Sequence, residues 1–411
     1  MYLKQAGITT SASWVKQHLP HFNACVSIFA MDFFTQLNDD SKLLAETIKQ
    51  FCVSELMLID SQTTLDPVSF KRLWQAMGQM GLHAITLSSD DGGLGLTEKD
   101  HAIAMLLISY YSASIGLSYA AHSNLCMTQI ARICTPSQKA RWLPKLITGE
   151  HIGALAISEP NSGSDAKSMR LMAEKVSGGY LLTGEKMWIT NGPIADIIIV
   201  YARTSSCRNG LTTFIIEAPT PGLIQGKPIS KMGMTLSPTG SLVFNRCFVP
   251  DVNRVGELGD GADHLLLGLD YERLLLAAGP LGIQSACLDL IQHYSMTRQQ
   301  FGRPIAKYQL IQSKIADIYT RFHAGLSYLL HACDQAQTGQ LTQAMAASTI
   351  LLTSEHATQA ALEAIQVLGG NGYSTEYPAE RYLRDAKLYE IGAGTNEIRR
   401  IIIAKALTKT Q

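Results

Sequence analysis

The strongest constraint on the fold is a double change of hydrophobic period. From about residue 40 to 150, apolar residues recur at helical spacing. Near residue 153 they give way to short β-branched and aromatic runs separated by Gly, Asn, Pro and Ser. From about residue 262 the helical period returns and dominates. A chain patterned in this way folds as helices, then a β unit, then a helical bundle.

Within the first stretch, Leu43, Leu44, Ile48, Phe51, Cys52 and Leu56 share one helical face. Asp66-Pro67 reads as a cap and a first-turn proline, ahead of Phe70, Leu73, Trp74 and Met77. Asp90 to Gly93 reads as a turn, and Thr97 with Asp100 as the cap of an apolar helix reaching Ser114. Tyr180–Gly184, Met187–Thr190, Ile197–Ala202 and Thr212–Ile216 read as strands. Long helices are expected near 262–298, 305–337 and 342–368, the first two separated by Gly302 and Pro304. The expected fold class is α+β. It comprises a helical domain over 32–152, a β-barrel or sandwich over 153–260 and a four-helix bundle over 261–411.

Residues 1–31 carry Lys4 and Lys16 and no acid, and the first acid, Asp32, follows Met31. They are expected to be an extension, either disordered or upstream of a true start at Met31. A targeting segment is the alternative. With 34 basic and 34 acidic side chains the net charge is zero, which argues against a broad nucleic-acid surface. No apolar run looks long enough to span a bilayer, so no membrane span is expected. Eight scattered cysteines form no C-x-x-C pair and no zinc spacing with His. They read as buried small side chains in a reducing compartment, with no metal site.

The chemistry-bearing candidates are segments rather than single residues. Ile157 to Asp165 is a polar, small-residue loop that exposes N–H groups and hydroxyls to an anionic or heteroaromatic ligand; an ordinary connection is the alternative. Trp188 and Thr190 share one strand face and could hold a planar cofactor; alone, a core Trp beside a surface Thr fits them better. Glu272 opens a very apolar helix. Burial there would raise its pKa and suit a general base, while a dipole-favoured first turn is the plainer reading. Arg298–Gly302 and Gln366–Tyr373 sit at helix ends, where C-capping alone could explain them. Thr395 is a candidate cap after a flexible turn. No G-x-G-x-x-G lies between a strand and a helix, so a nucleotide would need another device.

Taken in order, Ser158–Asp165, Trp188-Ile-Thr190, Arg298-x-x-Phe-Gly302, Gln366-x-x-Gly-Gly-Asn-Gly372, and Arg384-Asp-Ala-Lys through Gly394-Thr-Asn-Glu397 resemble the acyl-CoA dehydrogenase family over residues 40–408. The resemblance implies FAD bound without a Rossmann fold and α,β-dehydrogenation of an acyl-CoA thioester. A carboxylate removes the α-proton, a hydride passes to flavin N5, and electrons leave to an electron-transfer flavoprotein. It places Leu155, Ala156, Ile157, Ser158, Glu159, Gly163, Ser164, Trp188, Ile189 and Thr190 along the flavin. Arg298, Phe301, Gln309, Gln366, Val367, Leu368, Gly369 and Gly370 would hold the adenine and pyrophosphate end, from a neighbouring subunit of a homotetramer. Thr395, Asn396 and Glu397 would complete that site, and Ser164 would also touch the thioester arm. The compartment it implies is a bacterial cytosol, with the mitochondrial matrix as the alternative.

Most of that family carries a catalytic Glu just before the Gly-Thr of the last motif, where this chain has Gly392 and Ala393. Glu272 on the earlier helix resembles the isovaleryl-CoA dehydrogenase arrangement, in which the base comes from that helix and a wider pocket admits a branched acyl group. Leucine breakdown is the implied context. Leu117, Ala121, Asp270, Tyr271, Arg273, Gly392, Ala393 and Gly394 then line the substrate, with the Ala393 N–H on the thioester carbonyl. Leu117 and Ala121, one turn apart, match the residues that limit chain length. Thr235, Arg246 and Asp263 depart from the family pattern on the CoA side. A long-chain acyl-CoA dehydrogenase, another short or branched substrate, and a flavin-binding homologue without catalysis stay open as alternatives.

Overall fold

The computed structural model describes residues 38–59, 64–205 and 210–408. The expectations for residues 1–31 and for Cys25 and Cys207 lie outside the described residues. Helix α1 (Asp39–Phe51) starts where the Asn38 side chain accepts the Ser41 N–H at 2.8 Å, and continues into a π turn over Cys52–Leu56. Helix α2 (Pro67–Gln79) has the expected cap: one Asp66 oxygen accepts the N–H groups of Val68 and Ser69, both at 3.0 Å. Helix α3 (Glu98–Tyr111) begins with the reciprocal Thr97–Asp100 box.

The apolar segment does not run on to Ser114 as one helix. Ser112 takes extended backbone and caps a new helix, α4 (Ala113–Ala120), with its hydroxyl accepting the Ile115 N–H. A serine that satisfies an orphan N–H competes with helix continuation even inside an apolar run. Helix α4 passes through a π turn at Ala121–Met127 into α5 (Thr128–Ile133), and α6 (Pro136–Ile147) closes the first helical region.

Eight strands follow: β1 (Gly153–Ala156), β2 (Met172–Val176), β3 (Gly179–Thr190), β4 (Ile197–Arg203), β5 (Leu211–Glu217), β6 (Leu223–Gln225), β7 (Thr239–Pro250) and β8 (Arg254–Val255). They join in one sheet of order β6-β7-β3-β2-β4-β5-β8, with β1 parallel to β4. The two runs at 180–184 and 187–190 are one strand, β3, whose register against β7 shifts between Leu182 and Gly184 and between Lys186 and Ile189. Strand β4 is buried on both faces. Ile198, Val200 and Ala202 enter a core enclosed by the strands, while Ile197, Ile199 and Tyr201 enter a core shared with α5 and α6. That second face seats the sheet on the first helical region.

The chain returns to helix at α7 (Gly261–Leu276) and α8 (Ala278–Thr297), then α9 (Gln309–Gln337), α10 (Gln343–Leu368), α11 (Ala379–Tyr389) and α12 (Asn396–Thr408). Contrary to the sequence expectation, one helical stretch, Gly261–Thr297, is long and apolar enough to cross a membrane by length and composition; its apolar window is wholly buried within the protein. Helix α8 is the centre of the bundle, packed by α3, α9 and α10. Among the described residues the six cysteines are unpaired and buried, and no group of His, Cys, Asp and Glu could hold a metal ion.

Candidate active site

The loop after β1 is fastened to β3 by a buried cation. Lys186, wholly buried, donates from Nζ to the Ile157 carbonyl and to Glu159 Oε1, both at 2.9 Å. The Glu159 carboxylate also accepts the Arg170 N–H at 2.6 Å and the Leu171 N–H at 2.9 Å. Burial lowers the Lys186 pKa to about 8, against the opposing pull of Glu159. The Met187 N–H then donates to the Ser158 carbonyl at 2.8 Å, so loop and strand lie side by side. The Glu159 side chain thus faces inward, and its N–H and carbonyl are both paired with Ser162, at 3.0 and 3.1 Å, so Glu159 shapes the loop rather than facing a ligand. Gly163 and Ser164 are exposed, and a Cβ at Gly163 would meet nothing within 4 Å.

Next along β3, Trp188 inverts the plainer expectation. It is 58% exposed, while Thr190 is half-buried and Ile189 between them packs into the sheet core. Trp188 has φ +64°, inside the register shift that separates Lys186 from Ile189. A bulky residue in the left-handed region is a rare, strained state costing about 1–3 kcal/mol, and such bulges re-aim side chains. The result is an indole face open to solvent beside a loop of N–H groups and a hydroxyl. These features fit the isoalloxazine of a flavin: a flat aromatic wall, hydrogen-bonding groups next to it, and space over Gly163.

Hydrogen bonds join this strand to the helices. Asn191 Nδ2 donates to the carbonyls of Ser118 at 3.0 Å and Gly153 at 3.2 Å. Ser118 Oγ lies 2.8 Å from Ser237 Oγ. Leu117 is therefore held one residue from a strand-to-helix bond. It is half-buried, and the Ala121 N–H donates to its carbonyl, which establishes their one-turn spacing. From the π turn that starts at Ala121, Asn124 Nδ2 donates to the Tyr271 carbonyl at 3.3 Å, the residue before Glu272. The Arg132 guanidinium covers the Tyr271 ring at 3.3 Å.

Glu272 itself is 8% exposed. Burial pushes its pKa from 4.5 to about 7, with the nearby charges of Arg273 and Arg399 pulling the other way. Arg273 Nη1 donates to Asp270 at 3.0 Å, and the pKa of Asp270 is raised by burial against that pull. Leu117, Tyr271 and Ala393 pack against the same apolar core. Ala393 lies in a left-handed turn (φ +56°) next to Gly394 (φ +91°), and the Gly392 carbonyl accepts Arg399 Nη2 at 2.8 Å. Thr395 caps α12 through its hydroxyl, 3.4 Å from the Ile398 N–H. The Asn396 side chain is buried and accepts from Arg399 at 2.6 Å, while Glu397 is exposed.

A second group of candidates gathers elsewhere. Arg298 and Asn371 line one cleft, with His293, Tyr294, Thr297 and Tyr377. Asn371 Nδ2 donates to Tyr294 Oη at 2.9 Å, which draws the two motifs together. Arg298, Gln309, Gln366, Gly369 and Gly370 are exposed, and Phe301 is 94% exposed. Val367 and Leu368 point into the core, as does Ala156 in the sheet, so only their backbones can face a ligand.

Sequence reasoning passed over Lys186, Asn124, Asn191 and Arg399, all buried polar groups that hold the site. Their signal was present: a Lys between strand residues and an Arg-Arg pair on an apolar helix. Each type is more often solvated, which is why pattern alone did not single them out.

A helical–β–helical scaffold with an open aromatic wall and a buried, weakly acidic carboxyl defines a flavin-dependent dehydrogenase. The chain belongs to the acyl-CoA dehydrogenase family: the family's N-terminal, middle and C-terminal domain profiles match residues 38–150, 154–247 and 259–408. It is an FAD-dependent oxidoreductase. Mitochondrial isovaleryl-CoA dehydrogenase of Oryza sativa subsp. japonica is 52% identical over 341 residues, 82% of this chain and 83% of the relative. Mitochondrial 2-methylacyl-CoA dehydrogenase of Solanum tuberosum is 48% identical over 384 residues, covering 90% and 93%. Among solved structures, butyryl-CoA dehydrogenase from Megasphaera elsdenii superposes with a TM-score of 0.87 at 34% identity, covering 91% of this chain and 99% of that one.

Proposed function

We propose that this enzyme dehydrogenates a short branched acyl-CoA, isovaleryl-CoA to 3-methylcrotonyl-CoA, as in leucine breakdown. The observation that carries the reading is Glu272. It is a buried carboxyl that feels the charge of Arg399, and Arg399 holds the Gly392 carbonyl of the Gly392-Ala393-Gly394 turn, whose own side chains offer no base. With a pKa near 7 it is partly ionised at neutral pH and far more basic than a solvated carboxylate. It takes the α-proton of the thioester. The Ala393 N–H, fixed in its left-handed turn, donates to the thioester carbonyl as charge builds there. Leu117 and Ala121 close the pocket to a long straight chain, and Asp270, Tyr271 and Arg273 frame its helix side.

Bound FAD supplies a two-electron acceptor. Leu155–Ser158, Gly163, Ser164, Trp188, Ile189 and Thr190 would hold its flavin, Glu159 shaping the loop between them, with Thr395–Glu397 nearby. The exposure of Arg298, Phe301, Gln309, Gln366, Gly369 and Gly370 supports a role across a subunit boundary, in the homotetramer that the resemblance implies. An electron-transfer flavoprotein is the expected acceptor from the enzyme. The mitochondrial relatives support a matrix compartment as the alternative to a bacterial cytosol. The 2-methylacyl relative supports a second reading, a 2-methyl-branched substrate at the same site.

Anaerobic titration of the yellow protein with isovaleryl-, 2-methylbutyryl-, butyryl- and palmitoyl-CoA decides among these. Fastest bleaching by isovaleryl-CoA is expected, and fastest bleaching by palmitoyl-CoA overturns the short-branched reading. Glu272→Gln should bind FAD and lose at least about a hundredfold in turnover; retained turnover removes Glu272 as the base.

A further inference from the structure

Arg399 is among the largest wholly buried side chains, and none of the chemistry above uses it. Its guanidinium is a hub. Nη1 donates to the Tyr389 carbonyl and to Asn396 Oδ1, both at 2.6 Å, and approaches Ser354 Oγ at 3.4 Å. Nη2 donates to the Gly392 carbonyl at 2.8 Å. One side chain on α12 therefore ties the last residue of α11 to the turn that carries Ala393. Its Nε is buried with no acceptor among the described residues, and so is the Nε of Arg273. Two buried donors left unpartnered are unusual and mark a functional arrangement.

We propose that Arg399 is a positioning residue for the reaction, its fork fixing the Gly392-Ala393-Gly394 turn and its charge acting on Glu272 from a distance. This rests on the reading of Glu272 as the base. The geometry explains how a non-glycine residue keeps φ +56° there. The left-handed state of Ala393 is costly on its own and persists because its neighbours overdetermine it: the Gly392 carbonyl is held by Arg399, and the Asn396 N–H by the Glu390 carbonyl at 2.9 Å. A planar fork making three strong contacts does this where a lysine could not.

The charge acts on the base from the other side. Glu272 feels the charges of Arg273 on its own helix and Arg399 on α12, and itself acts on the buried Tyr201 of β4. Arg399 in turn feels Glu390 at the end of α11 and Glu355 of α10, and its pKa, lowered to about 10 chiefly by burial, leaves it charged at neutral pH. Burial alone would drive Glu272 further toward its protonated form, and the positive charge of Arg399 opposes that.

Two variants of the flavin-loaded enzyme, without any thioester, test this. Carboxyl-stretch difference spectroscopy against Glu272→Gln reads the Glu272 titration, and hydrogen exchange reads the amides of residues 391–395. Arg399→Gln should move the Glu272 midpoint upward by about one pH unit, an ionised fraction about tenfold lower below it. An unmoved midpoint overturns the electrostatic role. Arg399→Lys, the variant closest to native in charge and bulk, should leave the midpoint nearly in place while exchange at Gly392–Gly394 speeds up severalfold. Unchanged exchange overturns the positioning role, even if Arg399→Gln does not fold. A wild type that no thioester bleaches would refute the proposed substrate class and leave both measurements readable.

Discussion

At the scale of single residues, this molecule places its most expensive groups where chemistry needs them. Glu272 illustrates the cost. Its folded pKa, about 7, stands above the ordinary 4.5, so the native state holds a proton that the unfolded chain has released between those values. Stability therefore falls as pH rises through that window, by about 3 kcal/mol in all, an upper estimate from the shift. Glu272→Gln should melt at a higher temperature than wild type at pH 8, with the gap closing below pH about 5. Equal gaps at both pH values in thermal melts would show that the carboxyl is not perturbed. Lys186 carries the opposite expectation. Replacing it with Met leaves Glu159 buried and unpaired, a loss of about 3–5 kcal/mol. Lys186→Met/Glu159→Leu should recover part of it, and denaturant titration of the three variants checks the order. At this scale the sequence was only half legible. Glu272 and Trp188 stood out only through the family resemblance, since alone each fitted a plainer reading better. Neither the +64° backbone of Trp188 nor the burial of Lys186 could be read, since both arise from a register shift set by the partner strand.

At the scale of elements, legibility followed the source of the signal. Caps are local, so Asp66 and the Thr97–Asp100 box were visible in order and spacing. The break at Ser112 was hidden because its flanks are equally apolar. Strand β7 was not singled out: Asn245 and Arg246 interrupt its apolar run, and Arg246 sits in a left-handed bend (φ +49°) that only pairing with β3 stabilises. Helix crossings were invisible altogether. Helix α8 approaches α3 so closely that a Cβ at Gly282 would lie 2.5 Å from the Leu106 carbonyl oxygen and 2.7 Å from the Tyr110 nitrogen. Backbone cannot yield as a side-chain tip can. Gly282→Ala should thus destabilise by about 1–3 kcal/mol or more despite being a better helix former, measurable as a lower midpoint in urea.

At the scale of the whole molecule, the helical–β–helical order was readable because the period of hydrophobicity changes twice, and period survives any ignorance of tertiary contacts. What period cannot report is how the regions are joined. Besides the shared apolar cores, buried polar groups cross the seams: Asn191 reaches from the end of β3 to Ser118 and Gly153, His122 accepts the Gly153 N–H at 2.8 Å and meets the Leu146 carbonyl at 3.0 Å, and Asn124 reaches Tyr271. Each is buried, so separating two regions would strand its donors and acceptors away from their partners at about 1–3 kcal/mol apiece. The thermodynamic consequence is cooperativity. Calorimetry of the flavin-loaded protein should show one endotherm rather than three, and Asn191→Ala should begin to split it. The same stitching means that none of the three regions is a free-standing module: grafted alone onto another scaffold, the β unit would carry open hydrogen-bonding sockets where its neighbours had been.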